Sequence, residues 1–111
     1  MDKQLYDVDE FWKFNMRVGM IKVAERVPKS KKLIKLNVDF GDESRIIIAG
    51  IGDQYSPEDL EGKKMIFVLN LKPKKIMGIE SQGMLVVAED EKNNKVYLIT
   101  VDDAPVGCKV W

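Results

Sequence analysis

Residues 70–85 read NLKPKKIMGIESQGML, and in this stretch Lys72, Lys74 and Lys75 crowd around a proline. Ammonium groups at that density are suited to gripping an anion. Pro73 stiffens the backbone between Lys72 and Lys74, so less entropy is lost when the segment is held. Gly78 and Gly83 bracket IESQ, which allows a tight excursion with close backbone approach. Ser81 and Gln82 can hydrogen-bond base edges or sugar hydroxyls, which lysines read without specificity. Ile76, Met77 and Met84 offer apolar surface for exposed bases. The competing assignment is that they plug the mouth of a barrel, favoured for Ile76 and evenly balanced for Met84.

A second basic group, Lys29, Lys31, Lys32 and Lys35, lies earlier in the chain. The 111 residues balance 18 basic against 18 acidic side chains, with acids gathered at 2–10, 53–61 and 89–91. A neutral chain can therefore still present a positive face, and local field rather than net charge steers a polyanion. The bland alternative is that the lysines are solvated or guard sheet edges. Histidine is absent, which removes Ser–His and Cys–His pairs and the commonest metal ligand. The carboxylates show no catalytic clustering, and Cys108 has no partner for a disulfide. The expectation is a protein without catalytic residues, metal or cofactor. No apolar run reaches the ~20 residues of a membrane span, and the acidic start is no signal peptide, so a cytoplasmic protein without membrane contact is expected.

The elements that must position these groups are short. DVDEFWKFN (7–15) reads as a helix capped at Asp7 or Asp9, with its Val8, Phe11 and Trp12 face expected to pack on its own barrel. MRVGMIKVAERV (16–27) alternates and then slips phase after Gly19, the mark of a bulged, bent strand. LIKLNVDF (33–40) places Ile34, Leu36, Val38 and Phe40 on one face, and after a Gly41–Asp42 turn SRIIIAGI (44–51) returns beside it. SPEDLEG (56–62) is a capped helical turn, followed by strands at 63–70, 84–90 and 95–101. Tyr55 and Tyr97 read as structural, and the tail as ordered. The architecture expected for the chain, 1–111 as one domain, is all-β. It is a five-stranded antiparallel Greek-key barrel with a short N-terminal helix and a helical turn between strands three and four, the OB-fold pattern.

Several stretches resemble a known family. DEFWKFNMRVG (9–19), LIKLNVDFG (33–41), RIIIAGI (45–51), YSPEDLEGK (55–63) and above all NLKPKKIMGIESQGML (70–85) are similar to the tRNA-binding OB module. That module is appended to many methionyl-tRNA synthetases, and also occurs as a free-standing structure-specific tRNA-binding protein and in the endothelial monocyte-activating polypeptide. The chain departs from the pattern at Lys31, where the family carries an acid, and at Asn15 and Ala49. The resemblance implies a non-catalytic module that recognises tRNA by shape at the outer corner of the L, as a beta subunit or appended domain of methionyl-tRNA synthetase. It implies RNA contacts by Lys72, Lys74, Lys75, Ser81 and Met84, supported by Asn70, Gln82, Arg45, Lys31 and Lys32. It also implies a homodimer through the terminal segments, and the synthetase catalytic chain as a further partner. The alternative within the superfamily is a homodimeric, peptide-binding secretion chaperone. The Met1 start and length are expected of a separate polypeptide.

Overall fold

The computed structural model describes residues 4–111, so Asp2, the first of the N-terminal acids, lies outside them. The N-terminal helix α1 (Val8–Phe11) is a single turn, shorter than the 7–15 expected, and Asp7 caps it without a side-chain hydrogen bond. None of its residues is buried. Phe11, Trp12 and Phe14 each remain about half exposed, so the barrel covers the apolar face less fully than its sequence predicts.

Strand β1 (Met16–Arg26) is the long, bent strand, and its register shifts between Ile21 and Val23. The glycine that precedes the slip has a separate role. A Cβ on Gly19 would lie 2.5 Å from the Phe40 ring and 2.6 Å from Val38, so Gly19 admits the core aromatic. The bulge itself is stabilised from elsewhere: the Ala24 N–H donates to the Glu61 carboxylate at 3.0 Å.

Strands β2 (Ile34–Asp39) and β3 (Ser44–Ala49) pair antiparallel, Ile34 opposite Ala49 and Asp39 opposite Ser44. Ile34, Leu36, Val38 and Phe40 are all buried, as their alternation predicts. In α2 (Pro57–Leu60) the Asp59 carboxylate accepts from the Ser56 N–H at 2.9 Å and the Ser56 hydroxyl at 3.0 Å. Those two hydrogen bonds hold its pKa below the ordinary aspartate value. Leu60 anchors this turn in the core.

Strand β4 (Lys64–Val68) lies beside β1, and the chain then makes a small hairpin of β5 (Lys74–Ile76) and β6 (Ile79–Ser81). Beyond it β7 (Met84–Leu85) joins β4, while β8 (Val87–Asp90) and β9 (Lys95–Leu98) form a second hairpin. The tail adds β10 (Lys109–Val110) to the start of β1, a pairing its sequence does not announce. The barrel path runs β3-β2-β1-β4-β7, five strands in a nearly closed antiparallel barrel consistent with the OB-fold. Phe40 and Phe67 meet edge to face at 5.5 Å near its centre.

Candidate nucleic-acid interface

The lysine-rich segment folds into an ordered hairpin rather than an irregular excursion. Lys74 faces Ser81, Lys75 faces Glu80 and Ile76 faces Ile79 across β5 and β6. The two loop residues, Met77 and Gly78, have φ of 49° and 81°. Two successive positive φ values are the type I′ pattern that matches the twist of a two-residue hairpin. Glycine takes that conformation freely, whereas methionine does so at a cost, and here the Met77 side chain is displayed at an exposed tip. Because side chains alternate, Lys74 and Ile76 share the face turned to the barrel, and Lys75 and Glu80 share the other.

Four of the residues assigned to RNA by sequence instead build the base of this hairpin. Ser81 is only 6% exposed. Its hydroxyl accepts the Ile48 N–H at 3.0 Å and donates to the Gly83 carbonyl at 3.2 Å. Gln82 exchanges two bonds with Ile46: its N–H donates to the Ile46 carbonyl at 2.8 Å, and its Oε1 accepts the Ile46 N–H at 3.1 Å. These two side chains close the seam between β3 and the returning chain, where a flat strand edge would otherwise be left unpaired. Arg45 Nη1 donates to the carbonyls of Leu69, at 2.7 Å, and Gln82, at 3.1 Å, which flank the excursion on both sides. Its remaining nitrogens are held by Glu43 at 2.8 and 3.3 Å. The Asn70 amide donates to the Lys13 carbonyl at 2.7 Å and its Oδ1 accepts the Asn15 N–H at 2.6 Å, tying the N-terminal segment to the end of β4. Asn70, Arg45 and Ser81 thus have their polar side-chain groups engaged within the protein, and Gln82 has its Oε1 engaged. Asn70 is exposed, but its amide is already used.

The other assigned residues are available. Lys72, Lys74, Lys75, Lys31 and Lys32 are in none of the ion pairs found among the described residues. Between the hairpin and the barrel runs a groove of about 220 Å³, lined by Ile48, Leu71, Ile76 and Met84 with Lys72 and Lys74. A second groove of about 280 Å³ continues past Ile48 and Met84 towards β8–β9, and Lys32 lines it. The Ser30 hydroxyl sets this lysine's loop by accepting the N–H groups of Lys32 at 3.3 Å and Leu33 at 3.0 Å. The fold therefore brings Lys32 of one basic group and Lys72 and Lys74 of the other to one continuous surface, with half-exposed Met84 at the divide. Lys75 lies on the opposite face of the hairpin beside Glu80, and Lys31 does not reach either groove. The surface is not purely cationic, since Asp53 and Glu89 line the second groove. Sequence missed Leu71 and Ile48; apolar residues beside a lysine run were the available signal for Leu71.

A third, wholly apolar depression of about 340 Å³ lies under the N-terminal segment, formed by Phe11, Phe14, Met16, Leu71, Met84 and Val86. Leu71 and Met84 belong to both it and the lysine-rimmed groove.

Residues 16–109 match the family described as "Putative tRNA binding domain". The chain belongs to this tRNA-binding domain family. It is 52% identical over 105 residues to the methionine–tRNA ligase of Methanocaldococcus jannaschii, covering 94% of this chain but 16% of that protein. The chain thus spans about one sixth of the length of the curated relatives it matches. A methionyl-tRNA synthetase-related protein from Pyrococcus horikoshii superposes with a TM-score of 0.94 at 64% identity, over 97% of this chain and 99% of that one. The chaperone CsaA of Bacillus anthracis superposes with a TM-score of 0.86 at 28% identity, over 97% of this chain and all of that one. This tRNA-binding domain is homologous to the C-terminal domain of methionyl-tRNA synthetase.

Proposed function

We propose that residues 1–111 act as one non-catalytic, structure-specific tRNA-binding module in the cytoplasm, working as a beta subunit or appended domain of methionyl-tRNA synthetase. One observation carries the reading. In a chain of the tRNA-binding family, Lys72, Lys74 and Lys32 form no ion pair among the described residues and rim two grooves joined at Met84. The lysines supply phosphate attraction, while the hairpin's fixed shape sets where that attraction can be used. The decisive experiment titrates labelled tRNA and an unfolded client peptide against the same preparation by fluorescence anisotropy. Binding of tRNA that weakens linearly in log salt is the expected result. Peptide binding without tRNA binding would transfer the chain to the chaperone class. A pull-down with the methionyl-tRNA synthetase catalytic chain tests the second partner.

The chaperone reading has its own support in the likeness to CsaA and in the apolar depression beside Phe11 and Phe14. We assign that depression to a second copy of this chain, which would cover the exposed Phe11, Trp12 and Phe14. Sedimentation of Phe11→Ser/Phe14→Ser should then show a monomer where the parent chain is a dimer. A monomeric parent chain would remove the assignment.

A further inference from the structure

From the groove under the hairpin we infer that it is a slot for a single unstacked nucleobase, filled without regard to which base it is. The inference rests on the tRNA-binding reading and adds what the site holds. Three observations converge on it. The groove's volume, about 220 Å³, is in the range that admits one aromatic ring, given that an engineered apolar cavity of about 150 Å³ takes benzene.

The walls are apolar and the rim is cationic. Ile48, Leu71, Ile76 and Met84 present the hydrocarbon and thioether surface on which a base face can lie. Lys72 and Lys74 stand at the same groove, and no carboxylate lines it. Charge complementarity therefore selects an occupant that is apolar in its body and anionic at its ends. A nucleotide has that character, and the apolar side chain of a client peptide does not.

The floor explains the indifference to base type. Ser81 lies there, but its single hydroxyl proton is committed to the Gly83 carbonyl and its oxygen already accepts the Ile48 N–H. The Ser81 side chain therefore has no donor left to read a base edge. The lysines are point charges on flexible stems and discriminate poorly between bases. Recognition at this position is of an extruded base as such, which selects folded RNA with an unstacked nucleotide over a continuous duplex.

The test leaves the protein's fold untouched. A synthetic tRNA transcript is prepared with each loop nucleotide in turn replaced by an abasic ribose, and binding is measured by filter retention. One position, or two neighbours, should lose on the order of tenfold in affinity. Replacing the same nucleotide by each of the other three bases should change affinity by less than about threefold. In Met84→Ser, an exposed substitution, the abasic penalty should shrink towards unity. If tRNA binds but no abasic position costs more than about threefold, the slot is overturned while the tRNA reading survives. If one base is preferred by tenfold or more, indifference is overturned. An apolar peptide that displaces tRNA through this groove would reassign it to protein clients, and failure of every transcript to bind would instead sink the parent reading.

Discussion

Two hairpins leave the barrel, and they differ in almost everything except topology. The β5–β6 hairpin turns in two residues, Met77 and Gly78, and carries Lys72, Lys74 and Lys75 with Glu80 as its one acid. The β8–β9 hairpin turns through EKNN and mixes signs, with Glu89, Asp90 and Glu91 among Lys92 and Lys95. Both are pinned at a side: the first by Arg45, the second by Gln54, which accepts the Val96 N–H at 2.8 Å, and by Tyr55, which donates to the Val96 carbonyl at 2.7 Å. A hairpin on a barrel is therefore a common device. What makes one a candidate for polyanion binding is uncompensated charge on a rigid, tightly turned support.

The largest expected contrast is in charge. Lys72→Ala/Lys74→Ala/Lys75→Ala should weaken tRNA binding by roughly tenfold or more and make the log affinity against log salt slope shallower by at most about 2–3 units. Lys92→Ala/Lys95→Ala on the other hairpin should leave the slope within about half a unit. Equal effects from the two hairpins would end the distinction. Next comes the neck. Arg45→Gln should raise amide exchange across 74–81 and lower global stability by about 1–3 kcal/mol, since two carbonyls and Glu43 lose their partner. Gln54→Ala should raise exchange across 87–98 while leaving exchange across 74–81 unchanged. Glu43→Gln gives a sign to read: it weakens tRNA binding if Arg45 positions the hairpin, and strengthens it if Arg45 contacts phosphate directly.

A smaller effect is expected at the turn. The second hairpin already has an asparagine in the left-handed region, Asn94 at φ 51°, whereas the first has methionine. Met77→Asn should stabilise the chain by a few tenths of a kcal/mol and, if the tip touches RNA, weaken tRNA binding at the same time. A gain in both would show that the exposed thioether has no binding role. Smallest of all is Asp59, which lies on neither hairpin. Its folded pKa is lowered, so its contribution is present above the ordinary aspartate pKa and is lost as pH falls through the folded value. Melting temperatures of the parent chain and Asp59→Asn should differ slightly at pH 7 and converge in strong acid, while neither hairpin's exchange pattern changes.

What sequence revealed follows the range of the interactions. The β2–β3 pair and the Ser56–Asp59 capping box depend on residues close together, and their patterns were readable. The lysine clusters were visible too, but not which of them line a groove: Lys32, Lys72 and Lys74 do. The positioning residues were not. Arg45, Ser81 and Asn70 act on partners 24, 33 and 55 residues away, and nothing local separates a serine that reads a sugar from one that closes a barrel seam. The β5–β6 hairpin was hidden by its own brevity, since strands of three residues are too short to show an alternation. For α1 the face of Val8, Phe11 and Trp12 was expected against the barrel, and a single turn leaves each of them about half exposed.

Met84 ends up with three neighbourhoods: the lysine-rimmed groove, the groove towards Lys32, and the apolar depression under Phe11 and Phe14. A single side chain serving three surfaces cannot be tuned for one of them alone. Sequence change at position 84 must satisfy all three at once, and chemical damage there would be felt in all three. Oxidation of this exposed thioether to the sulfoxide would put a polar, branched group where the three surfaces meet. The residue that joins the surfaces is also their shared point of failure.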